Sequence, residues 1–141
     1  MLYTDKLRVS LGMKAFWGTL ISLFLVIGLL SHEPFSYAVN LGLTGFFLLM
    51  ALALTPKELR VYSDRLIVKL HLGYSVTVPA GNLKEVRKLP KQYVYLSQDV
   101  PFKSRWSVPV HIIQKRGLSF VVTPSNPDEF IAHVISLIHK G

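Results

Sequence analysis

The chain contains no cysteine, and only eight of its 141 residues are Asp or Glu. The first absence excludes disulfides and thiolate metal sites and is compatible with a reducing compartment. The second leaves 16 Lys and Arg in large excess, for a net charge of +8. There is no glycine-rich phosphate loop: Gly73, Gly81 and Gly117 stand apart and read as turns. No serine carries a local nucleophile signature. His32, His71, His111, His133 and His139 lack the spacing of metal ligands; the last two are six apart and fall on different faces of a helix. Without a constellation of paired catalytic groups, neither an enzyme nor a cofactor is expected.

Charge is missing altogether from one long stretch. Ala15 to Ser31 is uncharged over roughly 17 residues and Phe35 to Pro56 over about 22, and a spanning helix needs about 20. A lipid interior offers backbone amides no partner, so each run would close its hydrogen bonds internally as a helix. The break at Ser31-His32-Glu33-Pro34 is short enough to force antiparallel neighbours. The expected organisation is a basic tail at 1–14, a transmembrane hairpin at 15–56 (helices about 15–31 and 35–56) and a cytoplasmic domain at 57–141.

Lys6, Arg8 and Lys14 precede the hairpin, Lys57, Arg60 and Arg65 follow it, and its turn carries Glu33 and no base. The positive-inside bias then predicts a multi-pass protein of the inner (plasma) membrane with both termini cytoplasmic, and Trp17, Phe35 and Tyr37 near the interfaces. The competing reading of the first run is a cleaved signal peptide, with Ser36-Tyr37-Ala38 as a loose cleavage site. Its apolar core is long for a signal, and a second spanning run follows at once. A soluble helical pair does not fit runs that are apolar on every face.

Small residues stand four apart at Gly18 and Ser22 and at Ala38 and Gly42, a spacing that lets helix backbones approach. They predict helix–helix packing, within the hairpin or between copies. Asn40 is the one strongly polar side chain of the second run. No ionisable residue lies deep in either run, which argues against an ion or proton path. The tail, Met1 to Met13, is too short to fold independently; Leu2, Tyr3, Leu7, Val9 and Leu11 would lie along the interface or fray.

After Pro56 the pattern alternates. Leu59 and Val61 share a face, then Leu66, Val68, Leu70 and Leu72, then Val76 and Val78, with a turn at Tyr62–Arg65 and a reversal at Gly73: three strands of an antiparallel meander. Leu83 to Leu89 reads as a fourth strand and Tyr93 to Leu96 as a further one, with Gln98 to Ser104 a loop. Val108, Val110 and Ile112, the turn at Gly117, and Leu118, Phe120 and Val122 form a closing hairpin. Asn126 can cap a helix that begins at Pro127, with Asp128 and Glu129 at its positive end and an apolar stripe from Phe130 to Ile138. The fold class is α+β: a helical hairpin, then about seven antiparallel strands in a curved sheet or partly open β-barrel, capped by an amphipathic helix.

The run Val122-Thr123-Pro124-Ser125-Asn126-Pro127-Asp128-Glu129-Phe130-Ile131 resembles bacterial pleckstrin-homology (PH)-like domains. So do Val61-Tyr62-Ser63-Asp64-Arg65-Leu66 and the segment from Val78-Pro79 to Leu83-Lys84-Glu85-Val86. Members of that family often follow a pair of membrane helices, and the resemblance covers about residues 57 to 139. It implies a PH-like fold used for binding or scaffolding. Lys57, Arg60, Arg65 and Lys69 occupy the region where eukaryotic members cradle phosphoinositides, but the intervening turn is too short to wrap such a headgroup.

Thirteen of the sixteen Lys and Arg follow Pro56, and a domain tethered there lies within a Debye length of anionic headgroups. The membrane surface therefore accounts for the charge, and nucleic acid is not required as a partner. Arg87, Lys88, Lys91, Lys103 and Arg105, interleaved with Tyr93, Tyr95, Phe102 and Trp106, form the most suggestive cluster. It is either a lipid contact in which Phe102 or Trp106 dips into the interface, or a solvated loop with some rings in the core. The expected function is a membrane-anchored module that binds another protein or assembles with copies of itself. Recognition of anionic lipid through that cluster and an accessory role beside a transporter or envelope enzyme are the alternatives.

Overall fold

Ser10 stands just before the first apolar run, and its hydroxyl oxygen accepts the N–H of Met13 at 3.3 Å. This cap starts α1, Leu11–Leu30, ahead of the expected Ala15. Pro34, whose fixed φ and missing N–H suit the first helical position, opens α2, Pro34–Leu54. The computed structural model describes residues 1–89, 100–103 and 108–141. Both helices are long and apolar enough to cross a membrane.

The two helices meet along one seam. Covered positions recur at Trp17, Ile21, Phe24 and the buried Gly28 on α1 and at Ser36, Asn40, Leu43, Phe47 and Met50 on α2, the alternating four-and-three spacing of paired helices. Phe24 stacks on Phe47 with ring centroids 5.1 Å apart. Gly28 makes the close approach: a Cβ there would stand 3.1 Å from the Cβ of Asn40. Asn40 turns its amide back to its own helix, donating to the Ser36 carbonyl at 2.8 Å.

The four small residues expected at helix contacts lie elsewhere. Gly18, Ser22, Ala38 and Gly42 are exposed, and nothing stands within 4 Å of a Cβ built at Gly18 or Gly42. Their positions are out of step with the seam, which corrects the expectation that they pack the hairpin. The outer faces carry exposed Leu23, Leu30, Phe35 and Leu49, each forgoing about 1.5–3 kcal/mol of burial if left in water.

The residues before α1 do not form a loose tail. β1, Tyr3–Lys6, pairs antiparallel with β2, Pro56–Val61, placing Thr4 opposite Arg60. The ladder is extended by Leu2 N–H to the Val61 carbonyl (2.8 Å) and Leu7 N–H to the Lys57 carbonyl (2.9 Å). Leu7 enters the core. The Asp5 carboxylate accepts both the N–H and the hydroxyl of Ser125, each at 2.7 Å. These contacts overturn the reading of Met1 to Met13 as frayed or laid along an interface.

β3, Arg65–Leu70, and β4, Ser75–Pro79, complete the expected meander. Gly73, at φ +89°, makes the reversal between them in the left-handed region that favours glycine. A short 3-10 turn, Ala80–Asn82, then carries the chain into a second sheet. Its strands are β5, Leu83–Lys88, β6, Val100–Phe102, β7, Val110–Gln114, and β8, Phe120–Val122, in the order β5-β7-β8-β6.

Two details differ from the expected curved sheet or barrel. The strands form two four-stranded sheets, and among the described residues no ladder joins them into a closed barrel. β6 lies where a loop was expected and pairs parallel with β8; Pro101 is tolerated because β6 is an edge strand. The strand expected at Tyr93 to Leu96 lies outside the described residues.

α3, Pro127–Lys140, starts as expected, with the Asn126 side-chain oxygen accepting the Glu129 N–H at 3.3 Å. It sets Phe130, Val134 and Leu137 into one core with Leu59, Val61, Leu66, Val68, Ile112 and Phe120 from both sheets.

Two outcomes test this packing by thermal unfolding in detergent. Gly28→Leu forces the helices apart and costs about 1–3 kcal/mol, whereas Gly45→Leu, which meets open space, leaves the transition unchanged. Asp5→Ala strips Ser125 of a charged acceptor and costs about 2–3 kcal/mol.

Candidate functional site

The basic and aromatic cluster anticipated around residues 87 to 106 does not form one open surface in its described part. Arg87 is exposed on β5, opposite His111 in register. Lys88, its neighbour, is ion-paired with Asp128 in the first turn of α3 and so ties strand to helix. Phe102 is 7% exposed and packs edge-to-face on Phe120 at 5.8 Å, which corrects the expectation that its ring dips into a bilayer. Lys103 is buried as well, and that burial lowers its pKa. Lys91, Arg105 and Trp106, with Tyr93 and Tyr95, lie outside the described residues.

A second group of cations gathers where the hairpin meets the first sheet. The chain turns directly from α2 into β2 at Thr55, whose carbonyl accepts the His71 backbone N–H at 3.4 Å and lies 2.9 Å from His71 Nδ1. The Tyr74 hydroxyl donates to the Ala53 carbonyl at 3.4 Å. The β3–β4 turn is therefore bound to the foot of α2. Beside it opens a cleft of about 410 Å³ lined by Lys57, Lys69, Leu70, Gly73, Tyr74 and Ser75. Lys57 reaches this position through a bulge, since the β2–β3 register shifts between Pro56 and Glu58.

Glu58, which follows Lys57 and stands opposite Lys69 in register, is engaged elsewhere. Glu58 is ion-paired with Arg60, whose Nε lies 2.9 Å from its carboxylate, and accepts the Thr4 hydroxyl at 3.0 Å. The Arg60 bond is the main cause that holds its carboxyl below the ordinary value, with smaller help from Thr4 and from the charge of Lys69. Among the described residues neither Lys57 nor Lys69 makes an ion pair. The sequence carried a signal for this site in the cations Lys57, Arg60, Arg65 and Lys69, but Arg60 is taken by Glu58 and Arg65 lies near Asp64 at 3.8 Å and over the Tyr62 ring.

On the other side of the same junction, Trp17 turns into a small cavity of about 160 Å³ with Val9, Met13, Ala51, Thr55 and His71. Its indole thus packs at the hairpin's feet. Phe35 and Tyr37, at the far end, remain exposed. Along α1, Ala15, Gly18, Thr19, Ser22, Leu23 and Val26 line an open groove. Among the described residues no three His, Asp or Glu are grouped to hold a metal ion.

Comparison with protein-family models, with curated proteins and with solved structures found no match. The candidate site therefore rests on the chain's own geometry.

A depressed carboxyl contributes stability that is fully present above the ordinary carboxylate range, near pH 4, and is lost as the pH falls through its lowered folded value. Acid titration of unfolding should show wild-type stability falling below about pH 4, with a shallower fall in Glu58→Gln.

Proposed function

We propose that this protein is a membrane-anchored binding or scaffold module, its hairpin held in the inner membrane and its two sheets on the cytoplasmic face. The carrying observation is a pair of long helices, apolar on their outer faces and almost uncovered, continued by β1 and β2 into a packed domain. Such helices find their solvent in hydrocarbon rather than in water. The excess of Lys and Arg flanking the hairpin over its turn supports the orientation.

The module works by contact, with another protein or with a second copy. Two features support this reading. β4 has a single strand neighbour among the described residues, leaving an edge that can accept a further strand. Exposed Gly18 and Ser22 leave room on α1 for a further helix. The meander, the edge strands and the capping α3 are compatible with the PH-like reading of residues 57 to 139, which stays part of the proposal. Among the described residues, recognition of lipid through Arg87 to Arg105 loses Lys88 to an ion pair and Phe102 and Lys103 to burial.

The test uses the full-length chain in its own membranes. It should require detergent for extraction, a tag at Gly141 should stay inaccessible from outside intact cells, and light scattering after mild solubilisation should report a mass above the monomer. A soluble protein would overturn the anchoring, an accessible tag the orientation, and a bare monomer the contact function.

A further inference from the structure

The cleft at the hairpin's foot has a composition and a depth that together select a ligand. α2 ends at Leu54, and its 21 residues at 1.5 Å each span about 31 Å, one hydrocarbon thickness. Lys57 follows three residues later, at most about 10 Å along an extended chain, while each headgroup layer is about 5–8 Å deep. Its side chain is exposed, and a lysine stem can lie along apolar surface with its ammonium in the polar layer.

Lys69 reaches the same cleft from β3, and Tyr74, half exposed beside it, is bonded to Ala53. The bonded turn thus sets Lys57, Lys69 and Tyr74 around one cleft beside the foot of α2. Glu58, the carboxylate that Lys69 senses, is already held by Arg60 and Thr4 and so does not close the site.

We infer that Lys57, Lys69 and the β3–β4 turn form a binding site for the phosphate of an anionic phospholipid drawn from the surrounding bilayer. This rests on the anchored reading given above. None of its residues belongs to the cluster at residues 87 to 106. It fixes how the domain sits on the membrane, because the turn that holds the lipid is bonded to the last residues of α2. A phospholipid with a cationic headgroup is disfavoured, since its own ammonium offsets the phosphate that the two lysines seek.

The experiment is native mass spectrometry of the detergent-solubilised full-length protein titrated with phosphatidylglycerol or phosphatidylcholine. Each lysine is expected to contribute about fivefold, so Lys57→Gln weakens phosphatidylglycerol binding about fivefold and Lys57→Gln/Lys69→Gln more than tenfold. The control Lys84→Gln/Lys115→Gln removes the same charge from exposed positions on β5 and in the β7–β8 turn and leaves binding within about twofold of wild type. Phosphatidylcholine should bind wild type weakly and be indifferent to all three variants.

Equal losses in the site and control variants would overturn the inference, as would no loss in either. Displacement of phosphatidylglycerol by millimolar glycerol phosphate would overturn the assignment to lipid in favour of a free anion. Lys57 is exposed, so the single variant remains informative if the double variant does not fold. Failure of the anchored reading registers separately, as wild-type protein that stays soluble without detergent.

Discussion

The ladder between β1 and β2 is the constraint on which the architecture depends. It joins the segment that enters the hairpin to the segment that leaves it. The hairpin is therefore an insertion between neighbouring strands of one sheet, with both feet clamped, and not an appendage on a linker. Asp5 extends the clamp to the far end of the chain by holding Ser125, 120 positions away, at the entrance to α3.

From that clamp the local geometry follows. Pro56 begins β2 only one residue after α2, so the first sheet must start where the helix ends. The β3–β4 turn folds back to the same level, and His71 and Tyr74 secure it to the carbonyls of Thr55 and Ala53. Lys57 and Lys69 come together because a bulge in β2 and the reversal at Gly73 sit at the same end of the sheet. The site is a by-product of how the domain is attached, which is why its position relative to the helices is fixed.

Local pattern made much of this visible beforehand. The uncharged runs marked the helices, alternation marked β2 to β4, and Asn126 with Pro127 marked the start of α3. Contacts between distant residues were less accessible. Tyr3 to Lys6 holds only four residues and two charges, and nothing local shows that Val61 supplies its partner. β6 contains a proline and pairs with a strand some twenty residues later, so its pattern favoured a loop. Gly28 was overlooked because the spacing of Gly18 with Ser22 is the commoner signal, whereas the phase of the seam decides which glycine faces the partner helix.

The cluster at residues 87 to 106 illustrates the same limit for a site. Cations and rings alternate there in sequence, but Lys88 is drawn to Asp128 and Phe102 to Phe120 by the placement of α3 and the second sheet. Composition identifies which residues can meet an anion. Which of them are left over to do so is decided by tertiary pairing.

The interposed hairpin also sets an order of events during synthesis. β1 is made before its companion strand, which emerges only after both helices, and Ser125 comes later still. Until then the early segment has no mate, and the sheet cannot close around it. Both helices must therefore be made before the first sheet can close, and a fragment starting at Lys57 would lack the strand that covers one edge of β2.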